Sequence, residues 1–239
     1  MRLKRFLKLS FFIITINVNS QSLIETIFYQ MKISDLNEFS KRNLIESGKI
    51  FNVKEKIYTD ESQIPENEKN EFHREFEIES FLPKSGFLSF NENFIRADGG
   101  SHYDLCYWNT SKDYKLVAFR YFEFGSESYD ELEFFILKNN KIVEIDSKNI
   151  LPKLELEDLV DIKAIEKDGL DKVELLRIFQ KVTELEFILP KKGKNIIVDS
   201  FEKDVELNGQ EFDSFQKFRK YFKKNIVLIW NDGYFELDK

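Results

Sequence analysis

The feature that most constrains the fold is a run of short segments between residues 74 and 146, separated by turn residues. In the first segment, Phe76 and Ile78 alternate with three glutamates, which is the pattern of a half-buried strand. The later segments are rich in β-branched and aromatic residues and end at turn residues. They predict an antiparallel meander with strands in 74–82, 103–109, 114–124, 131–138 and 141–146, and a further candidate in 86–90.

Two helical segments are expected before the meander. Ser22 and Glu25 have the spacing of a capping box, in which each side chain bonds to the backbone N–H of the other residue. A second helix is expected from Ser34 to Gly48, because glycine commonly follows the last residue of a helix. The first helix would lie across the domain on one apolar face, formed by Leu23, Ile24, Ile27, Phe28 and Met31.

The chain after residue 150 mixes helices with hairpins. A short helix is expected over 171–181, followed by a hairpin that turns at Gly193. The segment 211–223 predicts an amphipathic helix, since acids open it and lysines close it. The apolar stripe of this helix would contain Phe212, Phe215, Phe218 and Phe222. A final hairpin is expected around Asn231, Asp232 and Gly233.

These elements predict an α+β fold: a largely antiparallel β-sheet with an N-terminal helical segment and a C-terminal amphipathic helix followed by a β-hairpin. Residues 21–150 and 151–239 would form either two units or one continuous domain. The hairpin patterns of 135–146 and 227–238 are similar, and 187–199 is a looser copy. Turn and pleat requirements favour such a likeness without an internal duplication, although a duplication would also produce it.

Residues 1–20 have the layout of a secretory signal peptide. Four basic residues come first, and an apolar run of about ten residues follows. This run is shorter than the ~20 apolar residues that a transmembrane helix needs. Cleavage after Ser20 would leave Gln21 as the first residue, whereas the alternative is a basic helix packed on the domain. No later segment is apolar enough to predict a membrane span.

Charge and cysteine content narrow the class of protein. Because residues 1–20 carry four basic and no acidic residues, their removal lowers the formal net charge from −7 to −11. Such an acidic chain is a poor candidate for nucleic-acid binding, which requires basic surface. A single cysteine cannot form an intramolecular disulfide. An exported chain that is not held together by disulfides fits a bacterial envelope better than a eukaryotic secretory pathway. We therefore expect an exported bacterial envelope protein, either periplasmic or secreted.

The stretch 96–109 concentrates rare residues and is a candidate metal site. It contains Asp98, His102, Asp104 and Cys106, whose side chains offer the oxygen, nitrogen and sulfur donors that zinc accepts. However, neighbouring residues on one face of a strand lie about 6.6 Å apart, which makes three consecutive ligands awkward. The same geometry separates His102 from Cys106 by about 13 Å, too far for a thiol nucleophile and its base. An ordinary strand explains the stretch better, with Cys106 and Trp108 buried and with His102 and Asp104 at its exposed end.

The aromatic residues of the meander are a candidate contact surface. Tyr103, Tyr107, Trp108 and Tyr121 would line a groove for a protein or glycan ligand. The chain has none of the usual phosphate-binding, nucleophile-elbow or zinc-protease motifs, and no cofactor is predicted. We therefore expect a non-catalytic binding module. The alternative is a hydrolase or metal-assisted enzyme that uses the Asp98–Cys106 region, and a carboxylate pair distant in sequence would also serve a hydrolase.

The signal-peptide interpretation predicts the mass of the protein in its native cells. The mature protein should begin at Gln21, because the signal peptidase would remove residues 1–20 during export. Intact-mass spectrometry of protein purified from those cells measures this directly. A mature chain that retains Met1 to Ser20 would contradict the prediction.

Overall fold

The structure is a computed structural model that describes residues 21–69, 71, 73–124, 129–202 and 207–238. The predicted signal peptide, residues 1–20, lies outside the described residues. Within the described residues, two antiparallel sheets and six α-helices confirm the predicted α+β class. No helix in these ranges is long and apolar enough to cross a bilayer.

The larger sheet has eight strands, and every neighbouring pair is antiparallel. The predicted meander is confirmed, because six consecutive strands lie side by side in chain order. The strands are β1 (Lys49–Val53), β2 (Lys56–Tyr58), β3 (His73–Leu82), β4 (Phe87–Ile95), β5 (Gly100–Asn109), β6 (Lys115–Phe124), β7 (Tyr129–Lys138) and β8 (Lys141–Ile145). The sheet order is β2-β1-β3-β4-β5-β6-β7-β8.

The hairpin formed by β1 and β2 was not predicted from the sequence. Its two turn residues, Lys54 and Glu55, have φ angles of 50° and 66°. Tight hairpin turns with two positive φ angles usually contain Asn-Gly or Asp-Gly, and a Lys-Glu pair gives no such signal. The sheet therefore gains two strands where the sequence indicates none.

Two N-terminal helices, α1 (Leu23–Gln30) and α2 (Glu38–Ser47), cover part of one face of the large sheet. The predicted capping box of Ser22 and Glu25 is present. The second helix begins at Glu38 rather than at Ser34, because the Asn37 side chain caps it, and it ends at Gly48 as predicted. Apolar residues of both helices pack against the sheet in a first core that includes Ile24, Ile27, Phe28, Leu44, Phe76, Leu88, Phe90 and Leu105.

The smaller sheet covers the opposite face of the large sheet. Its strands are β9 (Thr183–Ile188), β10 (Ile196–Glu202), β11 (Ile226–Trp230) and β12 (Phe235–Leu237), in the order β12-β11-β10-β9. The two sheets share a second core, in which Trp108 stacks on Trp230 with ring centroids 5.7 Å apart. The predicted hairpins that turn at Gly193 and at 231–233 are both present.

Four helices occupy the C-terminal part: α3 (Leu156–Leu159), α4 (Ile162–Lys167), α5 (Lys172–Val182) and α6 (Gly209–Phe218). Helix α6 begins two residues before its predicted start, because Asn208 forms a capping box with Glu211. It continues only as a 3-10 turn through Tyr221. Phe215 and Phe218 are buried, but Phe212 is 51% exposed, so only part of the predicted stripe faces a core.

A lysine lies inside the helix-covered core. Lys41 on α2 is 3% exposed, and its ammonium donates a hydrogen bond to the carbonyl oxygen of Met31. The ammonium also lies 5.6 Å from the centre of the Phe28 ring. Burial lowers the pKa of Lys41 from 10.5 to about 8, because the charged form has lost most of its water.

The Lys41 pKa predicts how stability changes with pH. Between pH 8 and 10.5 the unfolded chain keeps this proton while the folded protein releases it, so the free energy of unfolding should rise with pH. Lys41→Met should abolish this rise and raise the free energy of unfolding at pH 7 by about 1–2 kcal/mol. Urea unfolding over this pH range measures both effects. Arg42→Met, on the exposed side of the same helix, should retain the rise, and a destabilised Lys41→Met protein would contradict the prediction.

Candidate functional site

A cleft opens on the helix-bearing face of the large sheet, beside the end of α1. Its volume is about 420 Å³, which is within the usual range of small-molecule sites. The loop at 32–34 forms one wall, and strands β3 to β7 form the floor. We call this cavity the tyrosine cleft. The side chains that define it are Arg74, Glu92, Tyr103, Tyr121, Glu131 and Glu133.

A row of aromatic rings runs from β4 to β7 on this face of the sheet, and its two middle rings, Tyr103 and Tyr121, line the tyrosine cleft. Phe90 and Tyr103 are stacked with centroids 4.5 Å apart, and Tyr103 lies 5.2 Å from Tyr121. Tyr129 continues the row at 6.1 Å from Tyr121. The strand register produces this row, because it pairs Phe90 with Tyr103 and Tyr103 with Tyr121 across neighbouring strands. The first rings belong to the core, whereas Tyr121 is half-buried and Tyr129 is 50% exposed.

A buried carboxylate lies at the inner end of the cleft. Glu92 is 2% exposed and accepts hydrogen bonds from the Tyr103 hydroxyl at 2.7 Å and from the Arg74 guanidinium at 2.6 Å. Arg74 also forms an ion pair with Asp35, from the loop between α1 and α2, at 2.6 Å. Burial raises the pKa of Glu92, and the bonds from Tyr103 and Arg74 oppose this rise. These bonds hold Tyr103 in place and pair the charge of Arg74 with two carboxylates.

Three further carboxylates form the outer end of the cleft, on the same face of β6 and β7. The Tyr121 hydroxyl donates to Glu123 at 2.7 Å, and the Tyr129 hydroxyl donates to Glu131 at 2.9 Å. Burial raises the pKa of Glu133, and the neighbouring carboxylates of Glu131 and Glu144 raise it further. We call Glu123, Glu131 and Glu133 the acidic end.

The four residues predicted to bind a ligand do not form a single surface. Tyr103 and Tyr121 line the cleft. Tyr107 lies on the same face, but its ring packs against Gly86 and below the Lys115 ammonium. Trp108 faces the opposite core, where its indole N–H donates to the carbonyl oxygen of Lys194 at 2.8 Å. Strand alternation causes this separation, because consecutive residues point to opposite faces.

The predicted metal-ligating residues are spread along the opposite side of the sheet. His102 Nδ1 lies 2.7 Å from Asn91 Oδ1, and His102 Nε2 lies 3.1 Å from Asp104 Oδ1. Cys106 is buried in the second core, which raises the pKa of its thiol well above the ordinary value. Asp98 is exposed in the turn before β5. Among the described residues, no three His, Cys, Asp or Glu side chains are placed to hold one metal ion.

A buried ion-pair network between the two sheets was not anticipated from the sequence. Arg120 is 4% exposed and donates to both carboxylate oxygens of Asp130, at 2.9 and 3.0 Å. It also donates to Glu186 of β9 at 2.9 Å and lies 3.9 Å from Asp104. The alternation of β6 carries a signal for this network, because it places Arg120 on the same face as the buried Leu116 and Ala118.

Comparisons with known proteins give no match: no protein-family model matches the chain, and no curated protein or solved structure matches it significantly. The chemistry of the described side chains therefore carries the functional interpretation. That chemistry is concentrated in the tyrosine cleft, where aromatic rings, hydroxyl groups and carboxylates converge.

The Arg120 network predicts a large loss of stability when its cation is removed. Arg120→Met should lower the free energy of unfolding by about 3–5 kcal/mol, because it leaves the Asp130 carboxylate buried without a counter-charge. Urea unfolding measures this loss. Arg120→Met combined with Asp130→Asn should recover part of it.

A surface pair provides the control for this experiment. Arg177→Met removes the ion pair with Glu211, but the Arg177 side chain is 53% exposed, so a much smaller effect is expected. If Arg120→Met were no more destabilising than Arg177→Met, the network would not hold the two sheets together as described.

Proposed function

We propose that the protein is an exported bacterial envelope protein that acts as a non-catalytic binding module, and that the tyrosine cleft takes its protein or glycan ligand. The observation that carries this proposal is the aromatic row that leaves the core and continues into an open cavity. Aromatic rings beside a few fixed polar groups are typical of binding sites. The basic and apolar layout of residues 1–20 supports export.

The contacts of the tyrosines favour a ligand-binding role over a purely structural one. The hydroxyls of Tyr121 and Tyr129 are held by Glu123 and Glu131, which fixes both rings. Tyr121 lines the cavity, and the exposed ring of Tyr129 lies beside it. A fixed ring loses little conformational entropy when a ligand packs on it. The outer tyrosines therefore form a ready-made contact surface.

The environment of the cysteine favours binding over thiol chemistry. Cys106 lies in the second core, and its raised pKa disfavours the thiolate that a nucleophile requires. The ring nitrogens of His102 contact Asn91 and Asp104, and Nδ1 also lies 3.6 Å from Glu79 Oε2. The proposal therefore places the function on the opposite face of the sheet, in the tyrosine cleft.

A ligand screen tests the proposed function. Purified protein is screened by thermal shift against neutral and charged oligosaccharides, peptidoglycan fragments and short peptides, and the hits are titrated by calorimetry. Tyr121→Ala should weaken binding of a hit at least tenfold, or about 1.4 kcal/mol, because the ligand loses its ring surface. Tyr121→Phe keeps that ring and should retain most of the affinity.

The control variant for the screen is Tyr234→Ala. Tyr234 is an exposed tyrosine of the final hairpin and also bonds to a glutamate, Glu236, but it lies outside the cleft. Its removal should leave binding unchanged. The proposal fails if no probe stabilises the protein, or if every hit binds Tyr121→Ala as tightly as the unaltered protein.

A further inference from the structure

The tyrosine cleft has a negative outer end, and this property indicates which ligands suit it. We propose that the ligand group that enters the cleft is an organic cation, a primary ammonium or a guanidinium, which contacts the acidic end and the faces of Tyr121 and Tyr129. This inference rests on the proposed function, because it names the chemistry of the ligand for the same cleft.

The charges that line the cleft are not balanced. Arg74 is occupied at the inner end by Glu92 and Asp35. Lys32 is the other basic residue of the lining. Across the described part of the chain, no Lys or Arg forms an ion pair with Glu123, Glu131 or Glu133. The cavity therefore has a net negative charge that a cationic ligand would neutralise.

The carboxylates of the acidic end alternate with aromatic rings. The register of β6 and β7 places Glu131 opposite Tyr121 and Tyr129 opposite Glu123, and all four side chains lie on one face. A cation on this surface contacts carboxylate oxygens and ring faces together, and both attract positive charge. The tyrosine hydroxyls occupy only part of the accepting capacity of Glu123 and Glu131, since a carboxylate has about four acceptor sites.

The spacing of these acids favours an organic cation over a metal ion. Calcium requires six to eight oxygen ligands at about 2.3–2.6 Å from one point. In the described ranges, no three acidic, histidine or cysteine side chains converge in this way. An ammonium or guanidinium group makes longer contacts and tolerates carboxylates that are spread over two strands. The cavity of about 420 Å³ also holds more than a bare ion.

The electrostatic state of Glu133 supports the same conclusion. Burial raises the pKa of Glu133, and the nearby carboxylates of Glu131 and Glu144 raise it further, as expected where like charges lie close together. A bound cation would relieve that repulsion. Binding should therefore weaken as salt concentration rises, because salt screens the attraction between cation and cleft.

Pairs of matched probes distinguish the effect of ligand charge on affinity from the effect of ligand shape. We would titrate the protein by calorimetry with a trimer of glucosamine and with its fully N-acetylated form, which has the same rings without the ammonium groups. A second pair is Gly-Lys-Gly and the same peptide with an acetylated lysine. In at least one pair, the charged member should bind at least tenfold more tightly than the neutral member. The pair that shows this difference identifies an amino sugar or a lysine side chain as the source of the cation.

Charge-neutralising variants test the place of binding. Glu131→Gln combined with Glu133→Gln should weaken binding of the charged probe at least tenfold and should reduce its salt dependence. Glu61→Gln combined with Glu166→Gln removes the same net charge at exposed positions outside the cleft and should leave binding unchanged. Thermal unfolding of both double variants verifies that they are folded.

The outcomes distinguish this inference from the proposed function. The inference is wrong if neither charged probe binds, if both neutral members bind as tightly as their charged counterparts, or if the Glu131/Glu133 double variant retains full affinity. If a neutral glycan binds as tightly as its charged counterpart and this binding depends on Tyr121, the inference is overturned and the proposed function is supported. If no probe in the wider screen shows binding that depends on Tyr121, both the inference and the proposed function are overturned.

Discussion

The whole molecule depends on a large antiparallel sheet that has apolar side chains on both of its faces. In β5, Tyr103 and Leu105 join the core beneath the N-terminal helices, while Cys106 and Trp108 join the core beneath the small sheet. A sheet of this kind requires cover on both sides, since each face would otherwise leave a large apolar area in water. The helices leave part of their face uncovered, and that uncovered part is the tyrosine cleft.

The elements that the sequence predicts well are those with local chemical signals. The capping box at Ser22, the helix end at Gly48 and the turn around Asp232 and Gly233 all follow from backbone hydrogen bonding or from positive φ angles. The hairpin turn at Lys54 and Glu55 has the same backbone geometry without the usual residues, because pairing of β1 with β3 supports it from outside the turn. Tertiary pairing of this kind has no signal within a short window of sequence.

The site was predictable only in part, for a related reason. Alternation along β5 separates Tyr103 from Trp108, but only the register with β6 shows that Tyr121 lies beside Tyr103. The glutamates of β7 look like an ordinary solvated strand face, because alternating charge is also what an exposed strand shows. The strand register places Glu131 beside Tyr121. The loop at 32–34 lies opposite these residues and completes the cavity. The Arg120 network was not predicted, because Asp130 lies on the next strand and Glu186 lies 66 residues further along the chain in the other sheet.

The contacts between the two sheets join residues that are far apart in the sequence. Arg120 forms an ion pair with Glu186, and Trp108 stacks on Trp230. Each of these contacts closes a long loop of the chain, and the entropy lost in closing that loop opposes the stability that the contact adds. The Trp108 face of the large sheet is covered both by β9 and β10 and by the final hairpin. The second core is therefore built from strands at both ends of a long stretch of sequence, and loss of the β11–β12 hairpin would expose Trp108 and its neighbours to water.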